Sequence, residues 1–191
     1  MKKLNVMVGL FLMTGATFAQ TTWAANKPHT NIGFAVTHMV LAEVTGGFKD
    51  FDIKVVSNLD DFDGADVEFT AKTASIDTDN DNRDKDLKSP NFFDAEKFPE
   101  IKFKGKLVKE AGQYHLKGQF TIRDVTKDVA FDVEFKGTLK TAQFTKAGFR
   151  LTGKIYRFEY GLKWDKTVES GGLVVGQDVT ITCNIELDKK A

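Results

Sequence analysis

Apolar and polar residues alternate along most of this chain, with the period of two that marks half-buried β-strands. The first such run is read as a strand from about Trp23 to His38. It sets Ile32, Phe34, Val36 and His38 on one face and Gly33, Ala35 and Thr37 on the other. Gly46-Gly47 is read as the following turn. A second run carries Phe51, Ile53 and Val55 inward, and the Asp- and Gly-rich segment Asn58 to Gly64 turns into a third with Ala65, Val67, Phe69 and Ala71. After residue 100 the rows are Ile101 and Phe103; Tyr114, Leu116, Gly118, Phe120 and Ile122; and Val129, Phe131, Val133 and Phe135. They end with Phe149, Leu151, Gly153, Ile155 and Arg157, then Val179, Ile181, Cys183, Ile185 and Leu187. Eight strands at hairpin spacing, each with one wet and one dry face, predict antiparallel pairing.

One stretch breaks the alternation. Arg83 to Phe103 opens with dense charge, sets Ser89-Pro90 before Phe92-Phe93, and closes on Phe98-Pro99. Ser89 can cap free amides and Pro90 suits a first helical position, which predicts a short helix ending near Phe98; a smaller helical turn is expected over Arg83 to Leu87. The expected architecture is all-β: an eight-stranded antiparallel barrel with a short helical insertion near residues 80–98. A β-sandwich satisfies the same periodicity. Small inward residues at Ala65, Ala71, Gly118 and Gly153 favour a barrel with room inside.

The chain's start sharpens the setting. Lys2 and Lys3 precede a mostly apolar run from Leu4 to Phe18, and Thr17-Phe18-Ala19 offers small residues for cleavage, so residues 1–19 are read as a secretory signal peptide and 20–191 as one domain. Removing the two lysines leaves 25 basic against 27 acidic residues, a net charge of −2, which argues against nucleic acid as a partner. After cleavage no stable membrane insertion is expected. Cys183 is the single cysteine, so no intramolecular disulfide forms. Seventeen phenylalanines against three tyrosines and two tryptophans point to an interior of large rings without polar tips.

These residues resemble a known family, the YceI-like polyisoprenoid-binding proteins. The opening strand matches that family's pattern at Trp23, His29, Thr30, Ile32, Phe34, Val36 and His38, followed by Gly46-Gly47-Phe48. The interruption matches at Ser75-Ile76, Thr78, Arg83-Asp84, Leu87, Ser89, Phe92-Phe93-Asp94, Phe98-Pro99 and Phe103. Gly118 to Lys127, Arg157 to Trp164 and Val174 to Ile181 resemble its later signatures. Asp86 stands where a His is frequent, Asn91 where an Asp is, and Asp124 where Gly is usual. The resemblance implies a lipocalin-like barrel, exported to the periplasm, enclosing an isoprenoid or other long-chain lipid, and it implies no catalysis.

Candidate lipid-binding residues follow. Ile32, Phe34, Val36, Phe69, Phe103, Phe120, Ile122, Phe131, Val133, Phe149, Leu151 and Ile155 would touch the tail, unless they merely fill a core. Phe92, Phe93 and Phe98 would close a lid over one end, with Arg83 and Asp84 bracing it. Arg157 and His38 could meet a head group, and Arg157 could instead pair with Asp84. No metal or cofactor site is expected: the three histidines are scattered, and the acidic run Asp77, Asp79, Asp81 lacks the closing Glu of a calcium loop, having Lys88 there. Catalysis is the weaker class, since there is no nucleophile elbow or phosphate loop. The competing reading is a non-enzymatic envelope interaction module with a filled sandwich core. Self-pairing into a homodimer stays open.

Overall fold

The computed structural model describes residues 20–167 and 171–190. The leader reading of residues 1–19 lies outside the described residues. Strands β1 (Thr21–Ala25), β2 (Asn31–His38), β3 (Ala42–Phe48), β4 (Phe51–Ser57), β5 (Ala65–Lys72) and the two-residue β6 (Ile76–Asp77) precede one helix, α1 (Asp81–Lys88). Then come β7 (Glu100–Glu110), β8 (Gln113–Ile122), β9 (Val125–Lys140), β10 (Thr145–Tyr156) and β11 (Val175–Lys189). Every pairing is antiparallel, in the order β1-β4-β5-β7-β8-β9-β10-β11-β2-β3-β6. β1 also pairs β11, with Trp23 opposite Val55 on one side and Lys189 on the other, and this closes the sheet. Taking β1 with β2 and β3 with β4 as kinked single staves, and leaving out the two-residue β6 that pairs only the end of β3, the barrel has eight. Closure removes the sandwich alternative. No helix among the described residues is long and apolar enough to cross a membrane.

The expected first strand is broken in two. Pro28 lacks an N–H and sits in a 3-10 turn over Lys27–His29, so the ladder cannot continue through it. Thr30 repairs the gap: its hydroxyl donates to the Glu186 carbonyl (3.2 Å) and accepts from the Glu186 N–H (3.1 Å). Gly46-Gly47 is not a turn either; it lies within β3, opposite Phe34 and Gly33. A Cβ at Gly47 would fall 2.6 Å from the Ile32 carbonyl oxygen, and one at Gly46 2.7 Å from the Phe34 ring, so the glycines record close strand approach. Gly153 has a similar reason. A Cβ there would meet the Phe131 ring at 2.3 Å, so this small residue seats an aromatic neighbour and adds no empty space.

The helix lies where the sequence predicts the smaller turn over Arg83 to Leu87, and not after Ser89. Asn80 caps it, its side-chain oxygen accepting the Arg83 N–H at 3.0 Å. Asp81 and Asp84 in the first turn, with Lys85 and Lys88 in the last, complement the dipole. Ser89 is the C-terminal cap and Pro90 follows it, a position proline favours because it cannot prolong the ladder. Residues 89–98 form successive turns closed by backbone bonds such as Phe93 N–H to the Leu87 carbonyl and Phe98 N–H to the Asp94 carbonyl.

An aromatic plug fills the end of the barrel near the β4–β5 loop. Phe62, wholly buried, turns inward from that loop to meet Trp23 (5.0 Å between centroids), Phe149 (5.1 Å) and Phe135 (5.5 Å). Phe135 and Phe149 stack at 5.0 Å and Tyr114 lies edge-on to Phe135, so the barrel has a floor.

Candidate ligand cavity

Above that floor lies a cavity of about 170 Å³ whose lining is apolar but for Arg157. Strand parity builds it. Phe69, Phe103 and Phe120 face one another across β5, β7 and β8 because their registers align, and Leu151 aligns with Cys183 between β10 and β11. Of the tail candidates, Ile32, Phe34, Val36, Phe69, Phe103, Phe120, Ile122, Phe131, Leu151 and Ile155 line the cavity; Phe92, Phe93 and Arg157 form part of its roof. Four candidates lie elsewhere. Phe149 belongs to the plug, and Val133, opposite Leu151 and Tyr114, packs beside it outside the lining. Both share the inward parity, but Phe149 sits at the depth of the plug. His38 ends β2 opposite Ala42 and Val175, beyond the wall. Phe98 packs outside the lid, with the Arg123 guanidinium 5.0 Å over its ring and Lys97 at 5.1 Å.

The lid is tied down at two points. Thr78 is the first. Its hydroxyl donates to the Asp84 carboxylate, its N–H donates to the same oxygen at 3.0 Å, and Arg83 donates to its hydroxyl and carbonyl oxygens at 2.7 and 2.6 Å. Asp84 therefore pairs with Thr78 and not with Arg157. At the second point Arg123 donates to the Gly161 carbonyl at 3.0 Å while stacked on Phe98, which joins the lid to the turn after β10. Phe92 meets Trp164 at 5.6 Å on the same side.

Arg157 is the single charged side chain in the lining among the described residues. It is 3 % exposed and holds three carbonyl oxygens: Gly176 through Nε at 2.7 Å, Val175 through Nη2 at 2.9 Å, and Leu162 through Nη1. Its ion-pair partner is absent: among the described residues no carboxylate lies within 4.0 Å. Burial pushes its pKa below the ordinary guanidinium value, and the field of Asp165 opposes that. The group stays charged, since a guanidinium keeps its proton in proteins. Cys183 also lines the cavity, and burial pushes its thiol up to about 11, which leaves almost no thiolate at neutral pH.

Several wall residues are not among the candidate ligand contacts, although Val179, Ile181 and Ile185 stand in an inward row of the sequence. Phe48 of β3 packs between Phe34 (6.1 Å) and Phe93 (6.2 Å), and these three half-buried rings form the rim. Leu87 of α1 and Leu162 after β10 complete the roof, while Val179, Ile181 and Ile185 extend the wall along β11. Leu162 sits inside the quoted stretch Arg157 to Trp164, so that stretch carried its signal. The acidic run is a solvated loop: Asp77 accepts the Asp79 N–H at 2.9 Å and pairs with Lys49 at 3.3 Å, which holds its carboxyl below the usual range. Among the described residues no cluster of three or more His, Cys, Asp or Glu side chains is placed to hold a metal ion.

Comparison with known proteins agrees with this architecture. The family model described as the YceI-like domain matches residues 23–187. A UPF0312 protein of Staphylococcus aureus is 34 % identical over 170 residues, 87 % of this chain and 96 % of that protein. The crystal structure of a Campylobacter jejuni YceI protein is 28 % identical, covers 87 % of this chain and 96 % of its own, and superposes with a TM-score of 0.67. A polyisoprenoid binding domain from Saccharophagus degradans shares the fold at 9 % identity and TM-score 0.65, with coverage of 88 % and 98 %.

Proposed function

The chain belongs to the YceI-like family, and we propose that it carries or stores a long apolar amphiphile, a polyisoprenoid or isoprenoid-quinone-like lipid, inside the barrel. The observation that carries this reading is the apolar cavity, floored by Phe62 and roofed by a lid, with one buried cation at its edge. The polyisoprenoid binding named for the Saccharophagus degradans domain agrees with it. Burial of a chain contributes about 0.8 kcal/mol per CH₂, so the tail alone supplies affinity. At about 170 Å³ the cavity is smaller than the roughly 300–1,000 Å³ of ordinary ligand pockets. It suits a single slender tail, and the rim rings Phe34, Phe48 and Phe93 swing aside to admit more of it. Three of the five guanidinium N–H donors of Arg157 are taken by carbonyls, and the other two serve a polar head group. In this reading the work is done in the periplasm, which the leader-like pattern of residues 1–19 supports, and the task is binding without catalysis.

A dansyl-labelled farnesol titrated into the purified protein tests the reading. Saturable binding of one probe per chain is expected. Val179→Trp, which fills the wall of the cavity, weakens it at least about tenfold with near-ultraviolet circular dichroism retained. Unchanged affinity in that variant would place the probe elsewhere and sink the cavity as the site.

A further inference from the structure

The hairpin between β2 and β3 turns on Met39 and Val40, and its tip is apolar and open. Met39 is 46 % exposed, Val40 64 % and Leu41 91 %. Its backbone is as unusual as its composition. Met39 and Val40 have φ of 49° and 64°, and the Leu41 N–H donates to the His38 carbonyl at 3.1 Å, which makes a type I′ turn. Such a turn favours Asn-Gly at its centre, and a β-branched residue with positive φ is strained. Burial within the chain does not offset that strain, because these side chains face outward. Around the tip, the Met39 N–H donates to the Val174 carbonyl at 2.8 Å, and Val40 lies against Gly172.

We propose that this tip is a membrane-docking point that seats the barrel mouth on a lipid bilayer, so that a tail passes between bilayer and cavity without crossing water. The proposal rests on the lipid-carrier reading for its purpose and on the tip's own geometry for its mechanism. Phe34 and Val36 line the cavity on the strand that leads to the tip. β2 ends two residues beyond Val36 and the turn adds about one more rise, so at about 3.3 Å per residue the tip stands roughly 10 Å beyond Val36, comparable to the ~5–10 Å depth at which interfacial segments bury. Below the tip come His38 opposite Ala42 and then Thr37 opposite Glu43, and these polar side chains limit insertion to the three apolar residues. Size selects the bilayer over a protein partner. Three side chains fall far short of the roughly 800 Å² per partner that a stable interface buries, whereas at a lipid surface a small apolar insertion gives the weak, reversible contact that a visiting carrier needs.

The triple variant Met39→Asn, Val40→Gly, Leu41→Thr tests this without threatening the fold, because Asn-Gly is what the turn geometry prefers. Its Tm is expected to rise by about 3–8 °C. Sedimentation with vesicles of phosphatidylethanolamine and phosphatidylglycerol, and of phosphatidylcholine alone, reads the docking. The parent protein is expected to sediment with both, and the variant's bound fraction to fall at least about tenfold. Transfer of dansyl-farnesol from loaded vesicles slows to a similar degree, while its affinity measured in solution stays within about twofold. Equal sedimentation of the two proteins overturns the proposal. So does a parent that takes up dansyl-farnesol yet ignores vesicles, or a tip substitution whose one effect is to split a dimer. Vesicle binding that the variant loses, in a protein that takes up no dansyl-farnesol, upholds the docking tip and removes the carrier reading.

Discussion

Truncating Phe62 to alanine lowers folding stability by about 3–5 kcal/mol, the usual cost of emptying a buried phenylalanine site, and lowers Tm by about 10 °C in a domain of this size. Phe62 has no exposed surface, and its ring touches three others, Trp23, Phe135 and Phe149, drawn from β1, β9 and β10. Those rings sit on different staves and cannot close over the gap together, so the void stays open. The floor is also what makes the cavity blind. Loss of the ring therefore joins the cavity to solvent at the lower end, and dansyl-farnesol dissociates faster from the variant. Urea unfolding measures the first effect and stopped-flow displacement the second. A loss under about 1 kcal/mol would mean that the plug collapses around the missing ring.

Arg157→Leu is expected to cost about 3–5 kcal/mol as well, for a different reason. The leucine is apolar and shorter, and it strips donors from the carbonyls of the buried Leu162 and the half-buried Val175 and Gly176. These three oxygens belong to the turn after β10 and to the first residues of β11, which are held together by the guanidinium. Arg157→Lys recovers less than half of the loss, because an ammonium is a compact group that cannot span the fork. Chemical denaturation of the three proteins checks the ordering. If both variants were as stable as the parent while dansyl-farnesol binding fell, Arg157 would serve the ligand alone and the clamp would be unimportant to the fold.

Strand parity was legible because it is local: side chains two residues apart share a face wherever they sit in the barrel. Phe69, Phe103, Phe120 and Phe131 were found that way, and all four line the cavity. Depth along the barrel is not local. Phe149 has the parity of Leu151, but its height is set by the stagger between strands, and it lies in the plug. Phe62 is a lone ring in a run of Asp, Asn and Gly, where no period exists to reveal an inward turn. Gly46-Gly47 has the composition of a turn, and only the backbone of Ile32 and the ring of Phe34 pressing on it explain why a strand needs those glycines. The true turn, at Met39-Val40, has the composition of a strand. The insertion was placed within its expected span, yet Ser89-Pro90 ends the helix there, since a Ser-Pro pair suits the end of one helix as well as the start of another. The resemblance to the YceI-like proteins covered the same ground from another side, and the match over residues 23–187 agrees with it.

The central claim is that a single long-chain lipid occupies the barrel, and the most direct measurement is of what the protein already holds. Protein purified from its own host without detergent is extracted with organic solvent, and the extract is quantified by mass spectrometry against protein concentration. The account expects one amphiphile with a long apolar tail, near one molecule per chain, depleted by Val179→Trp. Repeated preparations that yield no such molecule, from a protein that also fails to take up dansyl-farnesol, would contradict it.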